Sequence, residues 1–199
     1  MKRYFLRFAL LWLVSVGVGC TSAPVHYYTL TSPAEVSPAP QTAFAIDVRV
    51  VHTPPLLHHA ELMVRTGPTE MTLLENERWA SPVNDEIKDA VRLALQRRLS
   101  GTSGFSPTFT KVTLDIDVQH FEAELGRHAL FAASWKATVS TGPRSDGART
   151  TTCTFQADEK IRAGYDGMVV GYQQEIAALA QAIAIALTSS ANGIDASCH

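Results

Sequence analysis

The chain has 199 residues, with 17 basic and 19 acidic side chains, 46% hydrophobic residues and three cysteines. Lys2, Arg3 and Arg7 are the basic residues ahead of Cys20 and no acidic residue precedes it, so the chain from Cys20 onward carries 14 basic against 19 acidic groups, formally −5. That balance argues against nucleic acid as a partner and against general adhesion to anionic lipid, both of which need a basic face.

In chain order, the first feature is an export signal over residues 1–19. The three basic residues form its n-region, and Phe8 to Val18 is an uncharged, mostly apolar run. A helix needs about 20 apolar residues to span a bilayer, so this run is too short for an anchor and reads as a signal core. It ends in Gly17-Val18-Gly19-Cys20. Small residues before a cysteine resemble the lipobox of bacterial lipoproteins, which makes Cys20 the expected lipidation site. A covalent diacylglycerol and an N-acyl chain on Cys20 are the only attached groups expected, and two or three acyl chains hold a protein on a membrane where one does not. No cofactor is expected beyond them. In Gram-negative envelopes an Asp just after the cysteine favours the inner membrane. Thr21 and Ser22 stand there instead, which favours the periplasmic face of the outer membrane.

Residues 20–43, rich in Ser, Thr, Pro and Ala, read as a lipidated tether. Within it the island His26-Tyr27-Tyr28-Thr29-Leu30 predicts a short strand docked on the domain. Residues 44–190 read as a single α+β periplasmic domain and 191–199 as a flexible tail. Phe44 to Val51 alternates as a half-buried strand until Pro54-Pro55. Glu61–Arg65 and Glu70–Leu74 predict two short strands around Gly67-Pro68. A helix follows: Ser81 is a candidate cap with Pro82 at the first helical position, Asn84 is an alternative cap, and Val83, Ile87, Val91, Leu95 and Leu99 form the apolar stripe up to Gly101. Lys111–Phe121, His128–Ser140 and Arg149–Ala157 predict an antiparallel meander, with turns at Glu124–Arg127 and Gly142–Gly147. An alanine-rich helix over Met168–Thr188 is long enough to cover a sheet. The order predicts an α+β two-layer sandwich, a mostly antiparallel sheet covered by two helices.

The chemistry-bearing residues are few. No Gly-rich phosphate loop and no G-x-S-x-G turn is present. His52, His58, His59 and Glu61 read as a solvated loop rather than a metal site, and Asp115 and Asp117 as an exposed sheet face rather than a catalytic pair. No catalytic residue and no metal are expected. Trp79 reads as a core plug. Cys153 and Cys198 are left over in an oxidising compartment, where they can pair. Pro54-Pro55-Leu56-Leu57 is an apolar segment that prolines keep out of regular structure, and it serves either for packing or as a contact to a partner or a second subunit.

Several segments, in order, resemble one family. They are Tyr28-Thr29-Leu30 after the tether, Leu62-Met63-Val64-Arg65, Glu77-Arg78-Trp79-Ala80-Ser81-Pro82 before the first helix, Val112-Thr113-Leu114, Ala132-Ala133-Ser134-Trp135, and the closing alanine-rich helix. The set resembles the auxiliary lipoproteins of ABC-type transport systems, typified by the paraquat-inducible protein C lipoproteins. The resemblance implies a non-enzymatic component of a lipid transport system between the inner and outer membranes. Its implied partner is an MCE-domain membrane protein forming the lipid conduit. Self-association into a homo-oligomer is a further expectation. The alternative reading is an envelope-assembly lipoprotein that supports peptidoglycan synthesis or secretion, and a third is a hydrolase acting on lipid or glycan.

Overall fold

The computed structural model describes residues 22–31, 45–99, 110–141, 148–191 and Cys198. The signal segment, Cys20, Phe44, the Gly101 helix stop, the Gly142–Gly147 loop and most of the tail lie outside the described residues. The elements are β1 (His26–Tyr28), β2 (Ala45–His52), a 3₁₀ turn (Pro55–Leu57), β3 (Glu61–Arg65), β4 (Met71–Trp79), α1 (Val83–Leu99), β5 (Thr110–Glu124), β6 (His128–Thr141), β7 (Arg149–Lys160) and α2 (Tyr165–Ala191).

The α+β sandwich is present, and its strands are divided between two mixed sheets. One has the order β1-β4-β3 and the other β2-β5-β6-β7. β5, β6 and β7 form the expected antiparallel meander. β1 runs parallel to β4, and β2 parallel to β5. Parallel neighbours need a long crossover, and between β2 and β5 the chain inserts the β3–β4 hairpin and α1.

The core follows from side-chain period. Val112, Leu114, Ile116 and Val118 of β5 alternate inward. A bulge between Val118 and His120 then shifts the phase by one residue, so Phe121 and Ala123 also face the core. Opposite them on β6, Ala129, Phe131, Ala133, Trp135 and Ala137 are buried. α2 contributes Met168, Tyr172, Ile176, Leu179, Ile183 and Leu187 at helical spacing, and α1 buries the stripe read from its sequence. A methyl group at Gly171 would collide with the Ile161 side chain and touch Ala129, so glycine is what lets α2 approach the β6–β7 end of the sheet. Each buried aliphatic side chain contributes about 1.5–3 kcal/mol, against roughly 1 kcal/mol for a good cap, so packing holds α1 more than its terminus does.

That terminus differs from expectation. The Pro82 carbonyl accepts from Asp85 N–H at 2.8 Å and Glu86 N–H at 3.0 Å, which places Pro82 at the cap and not inside the helix. Ser81 is not the cap, because its hydroxyl is taken by the Glu86 carboxylate at 2.7 Å.

Candidate functional site

The segment around Tyr28 is where the N-terminal part of the chain joins the domain. Pairing with β4 sets His26 beside Glu77, Tyr27 beside Arg78 and Tyr28 beside Trp79. The Ala80 N–H donates to the Tyr28 carbonyl at 2.8 Å. The Tyr28 hydroxyl donates to Glu77 Oε2 at 2.7 Å, and His26 Nδ1 lies 3.0 Å from Glu77 Oε1. Burial, with the adjacent Glu77 carboxylate, pushes the Tyr28 phenol above its ordinary value. Desolvation alone would raise the Glu77 carboxyl, but the hydrogen bonds from Tyr28 and His26 outweigh it and hold it low.

Two residues further on, a second carboxylate completes the clamp. Glu86, buried in the first turn of α1, accepts from Thr29 Oγ1 at 2.7 Å, from the Leu30 N–H at 2.8 Å and from Ser81 Oγ at 2.7 Å. Gln173 Nε2 of α2 donates to the Thr29 carbonyl at 3.1 Å. Leu30 is fully buried between them. Elements β4, α1 and α2 therefore all grip three consecutive residues. The docked strand, His26–Tyr28, lies within the segment marked in the sequence and is an edge strand of its sheet. The role of Glu86 is not read from sequence, although a Glu lying between Val83 and Ile87 on an apolar helix stripe is the available signal.

The Pro54–Leu57 segment is regular, contrary to expectation. Pro55–Leu57 forms a 3₁₀ turn closed by Leu57 N–H to Pro54 O at 2.9 Å and His58 N–H to Pro55 O at 3.1 Å. Proline suits the first position of such a turn because its fixed φ is already helical and its missing N–H has no partner to lose. Leu57 packs against the core, whereas Leu56 is 51% exposed and Pro55 lies at the surface beside it. Any contact surface here reduces to Pro55 and Leu56.

Cys153, buried on β7, is joined to Cys198, with Cα atoms 5.5 Å apart. Trp79 is a core plug, 5.9 Å from Phe121 and 6.3 Å from Tyr172 between ring centres, and Phe121 stacks on Tyr172 at 4.0 Å. Asp115 is held by Arg49 through two bonds of 3.2 and 2.7 Å, with Lys136 at 3.8 Å, and Glu61 pairs with Arg78 at 3.0 Å. Among the described residues no group of three or more His, Cys, Asp or Glu side chains is placed to hold a metal ion. Glu175 stands apart: it is 0% exposed on α2, and neither carboxyl oxygen meets a partner at hydrogen-bonding geometry. Burial, then the charges of Glu159 and Asp158, raise its pKa to about 8.

The profile of the ABC-type transport auxiliary lipoprotein component matches residues 28–184, beginning at the first clamped tyrosine. The chain belongs to this family. As an auxiliary lipoprotein it is a member of a family of transport components rather than of enzymes. It is 25% identical over 198 residues to the intermembrane transport lipoprotein PqiC of Escherichia coli K12, covering 92% of this chain and 98% of the relative. The Shigella flexneri PqiC matches equally. Two crystal structures share the fold. One, of an uncharacterised protein, gives a TM-score of 0.60 at 19% identity and covers 81% of this chain and 97% of its own. The other, from Xanthomonas campestris, gives 0.53 at 18% identity over 87% and 99%. Within the auxiliary lipoprotein, the clamp fixes where the N-terminal segment leaves the folded body.

Proposed function

We propose that this chain is a periplasmic lipoprotein, acylated on Cys20, that serves as the outer-membrane component of an MCE-type, ABC-driven lipid transport system between the two membranes. The clamp carries the reading. Only eight residue steps separate Cys20 from Tyr28, where the domain takes hold of the chain. Extended chain covers about 3.3–3.6 Å per residue, so the body stays within roughly 30 Å of the bilayer. A long free tether would suit a protein that patrols the periplasm. A short clamped one suits a fixed receiving station at the membrane. Family membership and the intermembrane transport name of the relative support the same role. The paired Cys153 and Cys198 fit an oxidising compartment.

Cys20→Ser is expected to move the protein into the soluble periplasmic fraction or leave its signal uncleaved, and the wild type is expected to carry acyl chains by intact mass. A wild-type mass without acyl chains would end the anchoring claim. Purification of the lipidated protein from membranes is expected to recover an MCE-domain partner.

The exposed Leu56 beside Pro55 is the proposed contact to that partner or to a second copy. Leu56→Asp alters only an exposed side chain, so its melting temperature is expected to stay within about 2 °C, corresponding to the roughly 0.5 kcal/mol typical of surface changes. Co-purification of partner or self-assembly is expected to fall at least tenfold. Unchanged association would remove this turn from the contact surface.

A further inference from the structure

The small sheet β1-β4-β3 has one face in the core and one outside. Leu62, Val64 and Trp79 point inward. Met63, cross-strand from Leu73, and Met71, cross-strand from Arg65, therefore lie on the outer face. Tyr27 lies on the same side, as the neighbour of Arg78, while Tyr28 turns in. Tyr27 is 64% exposed and Leu73 38%, with Met63 and Met71 half-buried.

The charges on this face are neutralised within the sheet's own surroundings. Arg78 pairs with Glu61 at 3.0 Å, and Arg65 pairs with Glu122. What remains is apolar apart from Glu75, an exposed carboxylate two residues past Leu73 on β4.

The direction of the tether adds the decisive constraint. β1 is parallel to β4, so the chain ahead of His26 runs toward the start of β4, where the β3–β4 hairpin turns. From Glu77, beside His26, to Met71 is six residues, about 20 Å along the strand. From His26 back to Cys20 is also six residues, at most about 20 Å of chain. The anchor can thus reach the level of Met71 and Leu73 but little beyond the hairpin turn.

We propose that the outer face of the small sheet, carrying Tyr27, Met63, Met71 and Leu73, rests on the surface of the bilayer that holds the lipid anchor. The proposal rests on the Cys20 anchoring reading. Because the face is mostly apolar, its cations are paired and its remaining charge is the Glu75 carboxylate, it meets the acyl–headgroup boundary and does not require anionic lipid.

The test places a tryptophan reporter on full-length mature protein in phosphatidylcholine vesicles containing brominated acyl chains, which quench tryptophan on contact. The described native tryptophans, Trp79 and Trp135, are buried. Leu73→Trp and, as a second reporter on the same face, Tyr27→Trp are compared with Ile185→Trp, an exposed position on α2. Two preparations are used: protein acylated by cells, and protein coupled chemically to a phospholipid through Cys20. Emission at positions 73 and 27 is expected to fall at least twofold, with position 185 unaffected. Equal quenching at all three positions, or none at 73 and 27, overturns the proposal; so does protection of this face only in native membranes, which assigns it to a protein partner. If cell-made protein does not bind vesicles while the coupled protein shows the selective quenching, the anchoring reading fails and the orientation stands.

Discussion

Glu86→Ala is expected to lower the stability of the domain by about 3–4 kcal/mol and its melting temperature by roughly 10 °C. The variant removes an acceptor from three donors at once: the Thr29 hydroxyl, the Leu30 N–H and the Ser81 hydroxyl. Two of these can reach water after local fraying, but the Leu30 amide sits beside a side chain that is 1% exposed. A buried donor left without a partner costs about 1–3 kcal/mol, and the sum for three coupled bonds is less than three times one. The loss should be local first. Hydrogen exchange is expected to rise at Tyr28–Leu30 before it rises in β5 or β6. Glu86→Gln should fall between the two proteins, since its carbonyl can still accept while its amide meets a donor. Should Glu86→Ala melt with the wild type, the clamp is not a stabilising contact and the fixed exit point of the tether has no energetic support.

The second large effect is one of pH. Glu175 has a folded pKa of about 8, against an ordinary value of 4.5. Between these values the folded protein holds a proton that the unfolded chain has released. Stability from this group is therefore complete below about pH 4.5 and is lost as pH rises toward 8. At about 1.36 kcal/mol per unit, the loss between pH 5 and 8 is on the order of 3 kcal/mol. The charges of Glu159 and Asp158 on β7 oppose its ionisation, and the fully buried Tyr172 lies near it on α2. Glu175→Gln keeps the shape and removes the titration. Denaturant unfolding at pH 5 should give similar stabilities for the two proteins. At pH 8 the variant should be more stable by about 2–3 kcal/mol. Parallel pH profiles would mean that the carboxyl finds a partner or water that lowers its pKa.

The sequence is most legible where burial imposes a period. Strand β5 shows its face through Val112, Leu114, Ile116 and Val118, and α1 shows its own through Val83, Ile87, Val91, Leu95 and Leu99. Period says which face is inside. It does not say which strand lies alongside, so the parallel pairings and the division into two sheets come only from the structure. Strand β4 is predicted to end at Leu74, ahead of the polar run Glu75-Asn76-Glu77-Arg78. It continues to Trp79, because an irregularity in its pairing with β3 lets these residues find ionic and hydrogen-bonded partners: Arg78 meets Glu61, and Glu77 meets His26 and Tyr28. Helix α2 begins three residues before Met168 and runs three past Thr188. Its ends carry Tyr165-Asp166 and Ser189-Ser190-Ala191, where no apolar stripe marks the boundary. At the clamp, Tyr28 and Leu30 were legible as aromatic and apolar residues in a polar tether. The two carboxylates that hold the segment were not, since charged residues ordinarily signal solvent and only a partner 49 to 57 positions away gives them another use.

The parallel register of β1 has a mechanical meaning. Under the proposed anchoring at Cys20, a pull between the membrane and the folded body passes through the segment ahead of β1. In β1 that tension runs along the strand axis, across the slanted bonds that join it to the parallel β4 and toward the grip of Glu77 and Glu86. The load is then shared across the bonds of the strand and the clamp in shear. The hydrogen bonds that fold this segment onto the domain thus also serve as its mooring.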